Sequence, residues 1–322
     1  MLDHKLEMDL VKSHTKREIG LYPTQIKPDA PLLVVGAGIH GNEPSGVIAL
    51  KKVFAELERL DVAMNGNLLG IAGNLMALRT GERYIDRDLN RIFLENGNSI
   101  ESGQPYFIHE ELERREIVQM IEKVENQKNG SKNLYFLDLH STSSDSIPYI
   151  SVNRKTSNTE FATKMKLPVV VGIEEFIPGH FDHFLTERGY VGFTVEGGQH
   201  LDPNSITTHI NTIFHTMITL GMLNLKDVSA SIFPMKELIP AIQKQKAIYE
   251  VVFRQDIQDV ATFVMKSGFK NFTKIEKGEL LAHSDGKPII SPFSGYIFMP
   301  LYQKAGKDGF YIVKKTEADN AS

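Results

Sequence analysis

The chain of 322 residues contains no cysteine. Disulfide frameworks and thiolate metal ligands are thereby excluded, and any zinc site has to be assembled from His, Asp and Glu. No apolar run approaches the roughly 18 residues of a membrane-spanning helix. No Lys/Arg-dense block marks a nucleic-acid or anionic-membrane footprint. The N-terminal stretch MLDHKLEMDLVKSHTKREIG is charged throughout and has no apolar signal core. Internal repeats and low-complexity tracts are also missing. These absences predict a cytoplasmic protein with neither membrane nor nucleic acid as partner. What remains is ordinary for a globular chain: 41% apolar residues, 24% charged residues and a formal net charge of -4. The length suits one large domain with an accessory domain, or two medium ones.

Strand and helix patterns alternate through the first two thirds. PLLVVGAG (31–38) is a short apolar run closed by glycine, and EPSGVIALKKVFAELERL (43–60) carries apolar residues at helical spacing with Pro44 near its first turn. NLLGIAG (67–73), NLYFLDLH (133–140), LPVVVGI (167–173) and YVGFTVEGG (190–198) read as further strands, with helices over 108–127 and 205–223. Such alternation predicts an α/β layer sandwich around a largely parallel sheet. After about 227 the pattern changes to strand-like segments, KAIYEVVF and GYIFMPLYQ, with closely spaced turn signals at Lys277-Gly278, Asp285-Gly286 and Ser294-Gly295. The sequence thus predicts a catalytic α/β domain over 1–227, a boundary near Leu225–Ser231, a small β-rich domain over 228–322, and a frayed tail, KKTEADNAS.

Ligands of open α/β sheets collect at the carboxyl ends of the strands. Three predicted strands end there in groups that bind or move charge: His40 and Glu43 after the first, His140 on the third, Glu196 on a later one. Two imidazoles and a carboxylate form a complete catalytic zinc set, with a position left for water. Glu196 is then the unligated carboxylate able to take a proton from that water. Gly36, Gly38 and Gly41 would let the backbone turn and leave room over the metal. Each part alone has a plainer reading, as a turn residue or a solvated histidine, and His109, His180, His183 and His200 stay open as alternative ligands. The segment GERYIDRDLNRIF (81–93) adds an Arg–Asn pair that offers a fork and an amide to a carboxylate, and a second arginine for an oxyanion. Alone it would read as a helix start laced with surface ion pairs.

Taken in order, Gly-Ile-His40-Gly-Asn-Glu43, Arg83-Tyr84…Asp88-Leu-Asn90-Arg91, Asp138-Leu-His140 and Glu196-Gly-Gly resemble the aspartoacylase/succinylglutamate desuccinylase family, relatives of the zinc carboxypeptidases. The resemblance covers the whole chain, and IEKGELLAHSDGKPIISPFSGYIFMP is similar to the small β domain of the desuccinylase branch. It implies a zinc-carboxypeptidase-like three-layer sandwich with a mixed, largely parallel sheet, and a deacylase that splits the amide of an N-acyl amino acid. It also implies one zinc ion on His40, Glu43 and His140, and Glu196 as general base and then general acid. Arg83 would stabilise the oxyanion, Asn90 and Arg91 would hold the amino-acid carboxylate, and Asp88 would orient His40. Arg188, in the loop before Glu196, and Tyr311 in DGFYIVKK correspond less cleanly to the family's remaining substrate contacts. Two alternatives share the scaffold: a zinc carboxypeptidase acting on short peptides, and a non-catalytic carboxylate-binding homologue. The presence of Glu196 beside a full ligand set argues against the second. A homo-oligomer is compatible with the sequence, which does not specify one.

Overall fold

The computed structural model describes residues 11, 13–95, 109–130, 132–143, 145–224, 247–302 and 306–316. The chain begins with an edge strand, β1 (Glu18–Tyr22), then β2 (Leu32–Ala37), α1 (Ser45–Leu60), β3 (Asn67–Ala72), α2 (Leu75–Thr80) and a 3-10 turn over Leu89–Arg91. There follow α3 (His109–Glu125), β4 (Leu134–Thr142), β5 (Tyr149–Val152), α4 (Thr156–Thr163), β6 (Val169–Val171), α5 (Phe181–Glu187), β7 (Val191–Gln199) and α6 (Pro203–Thr219). Strands β3, β2, β4 and β7 lie side by side and parallel. β1 pairs antiparallel at one edge and β5 antiparallel to β7, so the sheet is mixed.

Every residue of β2 is buried, as expected of a parallel strand covered on both faces. Its alternate side chains go to two different layers. Leu33 and Val35 pack with Val53, Phe54, Phe214 and Met217 of α1 and α6. Leu32 and Val34 pack with Ile117, Ile121, Phe181 and Leu185 of α3 and α5. The period of two along the strand thus produces the three layers. Among the described residues no helix is long and apolar enough to cross a membrane.

The C-terminal part is all β: β8 (Ile248–Asp256), β9 (Phe263–Met265), β10 (Thr273–Ile275), β11 (Leu280–Ser284), β12 (Lys287–Ile290), β13 (Gly295–Phe298) and β14 (Asp308–Lys315). β9, β11 and β12 form a separate three-stranded sheet over a small core that includes Phe263, Met265, Leu281 and Ile297. β8 lies parallel to β6, and β14, β13 and β10 continue from it, so the central sheet runs on into this region. A shared cluster of Tyr149, Val170, Tyr249, Phe298 and Tyr311 seals the junction. The expected boundary at 225–231 and the last six residues of the tail lie outside the described residues. Lys314 and Lys315, expected to fray, are the end of β14.

Candidate active site

The site follows from strand adjacency. β2, β4 and β7 are neighbours, and Ala37 pairs with Leu139 while His140 pairs with Glu196. Their carboxyl ends therefore deliver His40, His140 and Glu196 to one place. After β2 the chain turns through Gly38 (φ 68) and closes with Glu43 N–H donating to His40 O at 3.2 Å. Gly41 is needed for a reason other than room over a metal: a Cβ there would stand 2.0 Å from the Ala77 carbonyl carbon. A Cβ on Gly36 would likewise meet Phe181 at 2.5 Å. Gly41 admits α2 against the loop, and Gly36 admits α5 against β2. Gly41 N–H also donates to Arg83 O at 3.1 Å, which ties the loop to the 81–93 segment.

His40 Nδ1 lies 3.0 Å from Glu43 Oε1, and His140 Nδ1 lies 3.1 Å from Glu43 Oε2. The outer nitrogens face carboxylates instead: His40 Nε2 is 3.0 Å from Asp88 Oδ1 and His140 Nε2 is 3.0 Å from Asp138 Oδ2. An Nε2 that donates to a carboxylate leaves the Nδ1 lone pair pointing inward. Two such lone pairs and the Glu43 oxygens then converge, with one ligand atom per residue lying within 4.8 Å of the others, and all three side chains are buried. A cluster made of acceptors alone is unstable without a cation, so the donor set fits a divalent metal. Among the described residues it is the one His/Cys/Asp/Glu group of this kind. The electrostatics agree. Burial opposes ionisation of Glu43, yet His40 and His140 hold its carboxyl well below the usual range. Burial disfavours charge on His140, but Asp138 and Glu43 hold its pKa well above the ordinary value.

Glu196 stands beside this set without a ligand's contacts. Its Oε2 is buried and makes no hydrogen bond. Burial pushes its pKa up to about 8, with His140 and Arg83 opposing and Glu43 and Asp138 adding to the rise. Arg83 donates from Nε and Nη2 to Asp88 Oδ2 at 3.2 and 3.0 Å, and its Nη1 is 3.6 Å from Glu43 Oε1. Asp88 and Glu43 outweigh burial and keep the guanidinium charged. Asn90 Oδ1 accepts from Phe181 N–H at 2.8 Å, so the amide nitrogen is its remaining donor. Arg91 Nη2 reaches Asp308 Oδ2 at 3.2 Å. Glu196, Arg83, Asp88, Asn90 and Arg91 line a cavity of about 780 Å³, to whose walls Arg254, Met299, Pro300, Leu301, Lys307 and Asp308 of the C-terminal part also contribute.

Two residues expected to contact substrate do not line the cavity. Arg188 caps the end of α5 outside the cavity, where it pairs with Glu125 at 2.6 Å and Glu122 at 3.4 Å and lies over the Phe184 ring. The acidic end of α3 captures it. Tyr311 is fully buried on β14 against Phe298 and does not line the cavity. Of the four alternative histidines, His109 pairs with exposed Asp86 and His183 is away from the cavity. His180 and His200 do line it, but neither joins the ligand cluster. The sequence reading included Asp138 in the motif Asp138-Leu-His140 but gave it no role, although its spacing of two from His140 on a strand put both on one face. It missed Arg254, whose approach depends on the pairing of β8 with β6 and carries no local signal.

The family description "Succinylglutamate desuccinylase/Aspartoacylase catalytic domain" matches residues 29–220. The succinylglutamate desuccinylase of Pseudomonas syringae pv. tomato is 26% identical over 86% of this chain and 81% of its own length. That of Pseudoalteromonas atlantica is 24% identical over 85% and 77%. The crystal structure of the Vibrio cholerae succinylglutamate desuccinylase superposes with a TM-score of 0.66 at 18% identity, over 91% of this chain and 85% of that one, which supports the fold. One family description spans more than half of the sequence and takes in the ligand cluster, Arg83, Asn90, Arg91 and Glu196 alike, and the chain belongs to the succinylglutamate desuccinylase/aspartoacylase family.

Proposed function

We propose that this amidohydrolase of the aspartoacylase/succinylglutamate desuccinylase type uses zinc to split the amide of a small N-acyl amino acid, with an N-succinyl acidic amino acid as the leading substrate. The observation that carries the chemistry is the inward-facing acceptor set of His40, Glu43 and His140 beside the unpaired carboxylate of Glu196. The substrate class draws on the named activity of the relatives and on a cavity lined by Arg83, Arg87, Arg91 and Arg254.

Zinc held by these three side chains would acidify a water and polarise the substrate carbonyl. Glu196 takes the proton of the attacking water and returns it to the leaving nitrogen. Its place beside the ligand set, with Oε2 uncommitted to any partner, suits both tasks. Arg83, fixed by Asp88, presents a permanent positive charge to the oxygen on which negative charge develops. Asn90 and Arg91 hold the carboxylate of the amino-acid half. Asp88 and Asp138 keep both imidazoles in the metal-binding tautomer. As we read the walls that the C-terminal part adds to the cavity, small acylated amino acids fit and long peptides do not.

A hydrolysis panel tests this. Zinc-restored protein is expected to cleave N-succinyl or N-acetyl amino acids and to lose that activity when the metal is stripped. Preference for dipeptides would move the chain to the carboxypeptidase reading. Absence of stoichiometric metal, with no turnover when zinc is supplied, would end the proposal.

A further inference from the structure

Several buried polar atoms lining the cavity make no hydrogen bond: Tyr149 Oη, Glu174 Oε2, Asp182 Oδ1, Glu196 Oε2 and His200 Nε2. Tyr149 has a distinctive position among them. It lies on β5 directly opposite Glu196 of β7, and on the other side of β7 Glu196 lies opposite His140 of β4. Residues directly opposite in a ladder share one face of the sheet. His140, Glu196 and Tyr149 therefore form a row across three neighbouring strands, and all three line the cavity. Two of the three already have chemical tasks.

The Tyr149 ring is held rigidly. It is fully buried, with Phe298 edge-on at 5.0 Å between centroids and Phe272 at 5.8 Å. Its hydroxyl oxygen faces the Asn271 side chain, which can only donate to it there, so the phenolic proton has no acceptor, and Glu196 and Glu43 are within electrostatic reach. An unpaired buried hydroxyl disfavours the folded state, whereas phenylalanine would fill the same space without that cost. A phenol is protonated at neutral pH and so is a donor. In the row it lies on the side of Glu196 away from His140, and hence away from the oxygen shared by Arg83 and the metal site. A substrate whose carbonyl oxygen faced Arg83 and the metal site would present on that side its scissile nitrogen, which gains a lone pair as the carbon becomes tetrahedral.

We propose that Tyr149 is a further catalytic residue, whose hydroxyl donates a hydrogen bond to the leaving nitrogen as Glu196 delivers its proton. This rests on the amidohydrolase reading above. The test is Tyr149→Phe in the zinc-loaded full chain, with Glu196→Gln alongside. We expect kcat on the best N-acyl amino acid to fall about 10- to 100-fold, with KM changed by less than about threefold, the range for losing one group that assists proton transfer. Thermal stability stays equal or rises, because the ring contacts remain. On the ester analogue, whose leaving oxygen needs less help from a proton, the loss shrinks. A kcat within about twofold of the parent, where Glu196→Gln has lost activity, would overturn the role of Tyr149 alone. So would a fall in kcat accompanied by a fall in Tm, or equal losses on amide and ester. Full activity in both variants would instead overturn the amidohydrolase reading, and the inference with it.

Discussion

Glu43 shows how much one carboxylate can organise. Its two oxygens face one imidazole each, and Oε2 also accepts from Ser141 N–H at 2.9 Å. Because Asp88 and Asp138 occupy the outer nitrogens, neither imidazole can turn away from the centre. Replacing Asp138 with Asn is therefore expected to weaken metal affinity about 10- to 100-fold without unfolding the protein, as measured by competition with a zinc chelator. An unchanged affinity would show that strand β4 alone orients His140. Glu196→Gln keeps the size of the side chain and removes its proton chemistry. It is expected to retain stoichiometric zinc by elemental analysis and to lose about 10²- to 10⁴-fold in kcat. Wild-type turnover in that variant would remove Glu196 from the mechanism.

At the scale of elements, the site depends on close approaches between segments that make no contact with substrate. The loop after β2 lies so near α2 that no side chain fits at Gly41. Gly41→Ala is predicted to lower Tm and metal content together, since His40 rides on the same loop. A Tm equal to the parent's would show that α2 moves aside at no cost. The end of α5 gives the opposite case. Arg188 is engaged with α3, so Arg188→Ala is expected to leave kcat/KM within about twofold while lowering stability only slightly, as for exposed ion pairs. A large rise in KM would return that residue to the substrate site. The long elements were legible in the sequence. The helix expected over 108–127 spans His109–Glu125, and the strand expected over 133–140 is Leu134–Thr142. Strand β5 was not: it has four residues, YISV, too few to show a period, and its antiparallel place beside β7 is set by tertiary packing.

At the scale of the whole molecule, the central sheet joins both parts of the chain, and the cavity draws its walls from each. Charge is concentrated around that cavity, which makes the metal-free protein sensitive to pH. Glu196 titrates at about 8 when folded, against an ordinary 4.5. Between those values the folded chain keeps a proton that the unfolded chain has released, so this carboxyl's contribution to stability declines as pH rises from about 4.5 to 8. The raised pKa of His140 acts in the same direction, its stabilisation being present at low pH and lost as pH rises through the folded value. Metal-free protein is thus expected to melt lower at pH 8 than at pH 5.5, with Glu196→Gln showing a shallower decline. Zinc should raise Tm most at the higher pH, where protons no longer occupy its ligands. Parallel melting curves for the two metal-free proteins across that range would contradict the burial of an ionising Glu196.

The sequence by itself determined the α/β class, the three strand ends that carry His40, His140 and Glu196, and the Arg83–Arg91 segment. These depend on local period, glycine punctuation and residue chemistry, all of which are written along the chain. Only the tertiary structure decided which nitrogens face the metal position, that Asp138 holds His140, that Arg188 turns outward and that Arg254 joins the cavity wall. Each of those outcomes is a competition among partners brought together by strand order and helix packing. A side chain's nearest opposite charge in space cannot be read from its neighbours in sequence.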